Sequence, residues 1–256
     1  MARKIVVVSG KGGVGKTTVA VSLALQLAKS GARTLVCDAD FGLNNVDVAV
    51  GVEALSHYDI IDAIEGRCRA KQALIRHPKC PNLYILTSRR ATPERYISPQ
   101  SVKLVLDGLA PQFDFILIDS PAGVDEGFHR AVATADEGIL VTTLQVSAAR
   151  DADRVVTLLK SYRLEKIQLV VNMARGDLII SGECLSAQEL AEILKLPLLG
   201  VIPDEYRLAV GDISTPHSSV KMMAKGLLTG KIKIFDVTKK YSGLAGNLRR
   251  VLKKRL

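Results

Sequence analysis

Paired cysteines are missing from this 256-residue chain: Cys37, Cys68, Cys80 and Cys184 show no CxxC or Cys/His ligand spacing. A disulfide scaffold is not needed at this size, and a paired-cysteine metal site is not expected, so the four read as reduced thiols of a cytoplasmic protein. Long apolar runs are missing too. None approaches the ~18 uncharged residues of a spanning helix, and the run Ile5–Val8 is cut by Ser9-Gly10-Lys11 before it can serve as a signal-peptide core. Secreted and integral membrane classes are therefore not expected. No Pro/Gly/Ser-rich linker, internal repeat or low-complexity tract divides the chain, which predicts one domain over residues 1–238.

Acidic residues are the minority, 26 against 35 basic, for a net charge of +9. Seven basic residues and no acid fall between Lys239 and Leu256, so residues 1–238 carry only +2 of that total. A nearly neutral body precedes a cationic tail, residues 239–256.

Within the body, short β-branched runs alternate with amphipathic segments, the pattern of crossover units that build a parallel sheet. Strands are predicted at Lys4–Val8, Arg33–Cys37, Leu83–Leu86, Phe113–Asp119, Gly138–Thr142, Ile167–Val171 and Leu198–Ile202. Several are continuously apolar, as strands covered on both faces require. Ser98-Pro99 and the Ser186/Glu189 pair read as helix starts. The fold class is α/β, a mostly parallel twisted sheet with helices on both faces. The segment from Asp59 to Pro81 is less regular, and its two Cys, one His and one Pro read as loop and helix-edge residues.

Gly10-Lys11-Gly12-Gly13-Val14-Gly15-Lys16-Thr17 matches GxxxxGK[ST] in full, with Thr18 next and a helix predicted over Lys16–Lys29. Glycines let successive N–H groups turn toward one centre, and the helix start adds its dipole, making an anion cradle. In such a loop Lys16 reaches the β- and γ-phosphates of a nucleotide and the Thr17 hydroxyl ligates Mg²⁺. The second lysine, Lys11, has no helix to follow and on its own reads equally as a solvated loop residue.

Three carboxylates follow strands: Asp38 and Asp40 beyond Cys37, and Asp119 after four apolar residues. Ligands of open α/β sheets bind at the carboxyl ends of strands, so all three are candidates, although each could cap a loop. Asp119 has the Walker B arrangement and is placed to bind Mg²⁺ through water. Asp40 could orient an attacking water, with Asp38 as a Mg²⁺-water partner.

GKGGVGKTT at residues 10–18 resembles the deviant Walker A sequence of the MinD/ParA family of dimerising ATPases. The stretch from Asp38 to Asp47 resembles the first switch of the MinD type, and Asp119-Ser120-Pro121-Ala122-Gly123 its second; residues 146–154 and 200–205 are similar to it as well. The resemblance spans nearly the whole chain. It implies a P-loop ATPase using ATP and Mg²⁺, in which Lys11 crosses a homodimer interface to stabilise charge on the partner's phosphates. It also implies Asp40 as the water-activating carboxylate, Asn172 as an adenine reader and Pro203 near the base. The chain departs from the MinD pattern at Asn44, at Leu144-Gln145 and at Met173.

Apolar residues of the tail fall at Tyr241, Leu244, Ala245, Leu248, Val251, Leu252 and Leu256, one face of a helix, with Arg249, Arg250, Lys253 and Lys254 on the flanks and opposite side. A basic amphipathic terminal helix reads first as a membrane-surface element; a last helix packed on its own domain and a nucleic-acid contact are the alternatives. One copy binds an anionic leaflet marginally, and two copies in an ATP-bound dimer gain ~10²–10⁴-fold in avidity. The MinD-type resemblance implies the same location: peripheral on the inner face of the cell membrane, helping to position the division septum with division-inhibitor and ATPase-activating partners. Two other types of the family compete. A FlhG-type flagellar number regulator usually carries an extension before the P-loop strand, which here starts at Lys4. A ParA-type DNA-partitioning ATPase needs a basic body, so nucleic acid is not an expected partner.

Overall fold

The computed structural model describes residues 2–41, 45–55, 57–88, 97–205 and 217–242. Eight strands among these form one sheet: β1 (Arg3–Val8), β2 (Thr34–Asp38), β3 (Leu74–Arg76), β4 (Leu83–Leu86), β5 (Phe115–Asp119), β6 (Glu137–Thr142), β7 (Lys166–Ala174) and β8 (Leu198–Pro203). Their spatial order is β3-β4-β2-β5-β1-β6-β7-β8, and every pairing is parallel except β3 with β4. Central strands are apolar on both sides because both faces are covered. In β1, Ile5 and Val7 point into one core and Val6 and Val8 into the other.

The first core lies under α1 (Lys16–Lys29), α2 (Asn45–Val50) and α9 (Ser218–Thr229); the second lies under α3 (Ile60–Ile64), α4 (Pro99–Leu109), α5 (Glu126–Val132), α6 (Val146–Ser161) and α8 (Ala187–Leu194). The short α7 (Gly176–Ile180) follows β7. Among the described residues no helix is long and apolar enough to cross a membrane.

The expected strands are present, with ends shifted by a few residues, and the two helix starts form as read. Ser98 Oγ accepts from Ser101 N at 3.1 Å, and Ser186 and Glu189 satisfy each other's backbone N–H at 3.2 and 2.8 Å. The irregular 59–81 segment contains α3, capped by an Asp59/Asp62 box, and the antiparallel β3. Leu74-Ile75-Arg76 is too short for a periodicity signal, so β3 was not expected.

Beyond α9 the described chain runs on to Ser242, a few positions past the boundary expected at 238. Tyr241 is buried, and a Cβ at Gly176 would meet its ring at 3.0 Å and the Val237 carbonyl oxygen at 2.1 Å. The apolar residue counted into the tail's helical face is thus anchored to α7. The remaining tail residues, Leu244, Leu248, Arg249, Arg250, Val251, Leu252, Lys253, Lys254 and Leu256, lie outside the described residues, as does Asn44.

Candidate active site

Strand β1 lies where the chain's path divides, with β5 and β2 to one side and β6 to the other, so the loop at its carboxyl end opens into a crevice. That loop is Ser9–Gly15. Gly13 and Gly15 have φ of +80° and +82°, a left-handed conformation that turns the backbone N–H groups inward. Gly15 is also the N-cap of α1 and supplies no side chain, which leaves the first-turn N–H groups facing the cradle.

Two elements press on the loop from outside. A Cβ at Gly10 would lie 2.6 Å from Asp151 atoms on α6, and one at Gly15 would lie 2.3 Å from Asn172 Nδ2. Asn172 Nδ2 donates to Val14 O at 2.8 Å, so the end of β7 clamps the loop. Asn172 and Pro203 line one cleft together with Thr18, Ser22, Met173 and Glu205, beside the P-loop. The expected adenine reader therefore also braces the phosphate cradle.

On the cradle's floor, buried Lys16 places Nζ 2.6 Å from Asp119 Oδ1, and Thr17 Oγ1 donates to Asp119 Oδ2 at 2.6 Å. One carboxylate thus holds both of the motif's polar side chains. Asp119 reaches them because β5 pairs in register with β1, Val7 opposite Asp119. The same register sets Asp38 of β2 opposite Asp119. Asp38 accepts from Asp40 N at 2.9 Å and Val46 N at 3.3 Å, tying the turn after β2 to α2. Asp40, half-buried, lines the phosphate cleft with Lys11, Gly12, Lys16 and Thr17. Lys11 Nζ turns toward the start of α6, donating to Ser147 Oγ at 3.1 Å and Gln145 Oε1 at 3.4 Å. Ser147, Gln145 and Asp151 were not among the expected site residues, though Gln145 stood out as a departure from the MinD pattern.

Burial, then the neighbouring charge of Asp119, pushes the Asp38 carboxyl up to about 7 from an ordinary 3.8. Because the folded value exceeds the unfolded one, the native state binds more protons between these pH values, and this residue's contribution to stability declines as pH rises through that window. His77 and His217, whose values burial lowers, act in the opposite sense. Asp38→Asn should therefore remove one component cleanly: melting of the nucleotide-free variant at pH 5 and pH 7.5 should show a larger gain over the native chain at the higher pH, by about 1–3 kcal/mol, because pH 5 already lies inside the window. An equal gain at both pH values would contradict this.

The glycine-lined cradle with a buried lysine fits phosphate. One hydroxyl and two carboxylates, without nitrogen or sulfur donors, suit a hard cation such as Mg²⁺, which Thr17, Asp119 and Asp38 would hold.

The family described as AAA domain matches residues 2–173. The chain is 35% identical over 263 residues to the septum site-determining protein MinD of Synechocystis, covering 98% of this chain and 99% of that protein. The chain belongs to the MinD family. Among solved structures, a MinC:MinD cell division protein complex from Aquifex aeolicus superposes with a TM-score of 0.83 at 32% identity, over 91% of this chain and 98% of that one. The septum site-determining protein MinD complexed with Mg-ADP from Pyrococcus horikoshii superposes at 0.79 and 28% identity, over 90% and 97%. MinD membership accounts for the mostly parallel sheet and for the P-loop NTPase architecture of this site.

Proposed function

We propose that the chain is a Mg²⁺-dependent ATPase that dimerises on ATP, binds the inner face of the cell membrane through its C-terminal helix, and helps position the division septum. The observation that carries the enzymatic part is the grip of Asp119 on both Lys16 and Thr17. This arrangement supports Lys16 as the contact to the β- and γ-phosphates and Thr17, with Asp119 and Asp38, as the Mg²⁺ site. When bound, the ion supplies neutralisation of charge on the phosphate oxygens. The P-loop N–H groups orient the phosphates and Asp40 orients the attacking water. Lys11, held by Gln145 and Ser147 on its own chain, acts after release across a dimer.

Family membership and the relative bound to Mg-ADP support the nucleotide and the metal. The MinC:MinD relative supports a division-inhibitor partner, and an ATPase-activating partner of the same system completes the reading. The basic amphipathic pattern of residues 244–256 supports the membrane step.

Sedimentation with phosphatidylcholine vesicles containing phosphatidylglycerol tests the cycle. The full chain should pellet with ATP and stay in solution with ADP, and a chain truncated after Ser242 should stay in solution with both. Equal binding in both nucleotides, or binding that survives truncation unchanged, would contradict the switch. Hydrolysis assays on Lys11→Ala and Asp40→Ala chains separate the two catalytic assignments, since either variant retaining native turnover removes the role given to that residue.

A further inference from the structure

Dividing the charge by the fold moves its origin upstream of the tail. From His217 to Leu256 there are eleven basic residues and one acid, so residues 1–216 sum to −1 and the last part of the chain holds all of the excess. Six of those lysines belong to the folded body: Lys221, Lys225, Lys231, Lys233, Lys239 and Lys240, all exposed. Lys240 pairs with Glu205 at 3.0 Å. Among the described residues, Lys221, Lys225, Lys231 and Lys233 pair with no carboxylate.

The fold gathers them. Lys221 and Lys225 stand one turn apart on α9, and Leu228 continues the same row, 41% exposed. Gly230, with φ +72°, ends the helix and lets the chain reverse. The following segment runs back along α9: Ile232 Cγ1 would lie 3.5 Å from a Cβ at Gly226, and the Phe235 ring stacks edge-on against His217, 4.8 Å between centroids. Neither α9 nor the neighbouring α1 contains an acidic residue. The result is a turn that exposes two aliphatic side chains, Leu228 and Ile232, among Lys225, Lys231 and Lys233.

We propose that this turn is a second lipid-contact element, carried by the folded body, that sets its three lysines on anionic headgroups and its two aliphatic tips into the interfacial layer of the leaflet. Lysine stems and aliphatic tips suit that boundary, where the charge stays hydrated and the carbon is buried. A duplex would use the lysines and leave Leu228 and Ile232 without a partner, and no arginine or aromatic residue stands in the turn to read or stack on bases. The inference rests on the membrane reading above for the presence of a lipid surface. It does not rest on the tail helix, because every residue it uses precedes Ser242.

The test compares full chains on phosphatidylcholine vesicles with and without phosphatidylglycerol, in ATP. Replacing the lysines together, Lys225→Gln, Lys231→Gln and Lys233→Gln, should weaken binding to the anionic vesicles about a hundredfold, at ~5-fold per lysine, and flatten its salt dependence. Leu228→Ser with Ile232→Ser should weaken it as well while leaving the salt dependence intact. Hydrolysis without vesicles and thermal melting should be native in the lysine variant. Native vesicle affinity in the lysine variant would overturn the proposal, and if truncation after Ser242 still abolished binding, the tail reading would stand alone. Loss of duplex DNA retention with unchanged vesicle binding would overturn it in favour of a nucleic-acid surface. A native full chain that binds neither vesicle would remove both the patch and the tail.

Discussion

Asp119→Asn should reduce ATP turnover by about 10²–10³-fold and lower the melting temperature of the nucleotide-free chain by roughly 4–12 °C. The side chain is buried and serves two donors at 2.6 Å, the Lys16 ammonium and the Thr17 hydroxyl. An amide there presents one acceptor and one donor, so either Lys16 or Thr17 faces an N–H group. Lys16 is then left buried without its counter-charge, which costs about 3 kcal/mol in comparable buried pairs. Part of that is offset, because Asp38 loses the like charge that helps raise its pKa. Turnover falls for a separate reason: the lysine is no longer aimed, and the acidic side of the proposed Mg²⁺ site is halved. Mg-ADP titration calorimetry, turnover and melting on one preparation test this. Native turnover in the variant would contradict the central place given to Asp119, whatever the melting temperature.

Gly15→Ala should be comparably damaging by a steric route. The backbone there is left-handed, φ +82° and ψ +26°, which costs a residue with a Cβ roughly 1–2 kcal/mol. The added methyl would also sit 2.3 Å from Asn172 Nδ2, inside contact distance. Asn172 must then move and give up its hydrogen bond to Val14 O, about 1 kcal/mol more. The sum is about 2–3 kcal/mol of stability, with nucleotide affinity falling because the displaced loop no longer points its N–H groups at one centre. The two contributions separate in a double variant. Adding Asn172→Ala removes the overlap but not the backbone cost, so the doubly substituted chain should melt above the value expected from adding the two single losses. Strict additivity would mean that Asn172 does not press on the loop.

Much of the site was legible because its signals are local. The P-loop pattern needs eight consecutive residues, the Walker B carboxylate needs one apolar strand before it, and the Ser98 and Ser186 caps need three or four positions each. What could not be read depends on partners far apart in sequence. Asp151 behind Gly10, Asn172 behind Gly15, and Gln145 with Ser147 around Lys11 come from the other half of the sheet, more than 130 residues from the loop. No pattern near residue 11 announces them. The seat of Tyr241 could not be read for a related reason. Helical periodicity assigns Tyr241 to the tail's apolar face, whereas its burial against Gly176 depends on α7, some sixty positions earlier. The cluster of lysines at the turn after α9 is likewise invisible to a count along the chain, because it takes the reversal at Gly230 to bring Lys231 and Lys233 beside Lys225.

The seat of Tyr241 against Gly176 also fixes a mooring point. The last described turn is fixed there, at the rim of β7, a few positions from Asn172 in the same connection. The local concentration of whatever follows Ser242 in sequence is set by where that knot is tied as much as by the rope. Loosening that knot would lengthen the reach and dilute the end without altering a single residue of the amphipathic face.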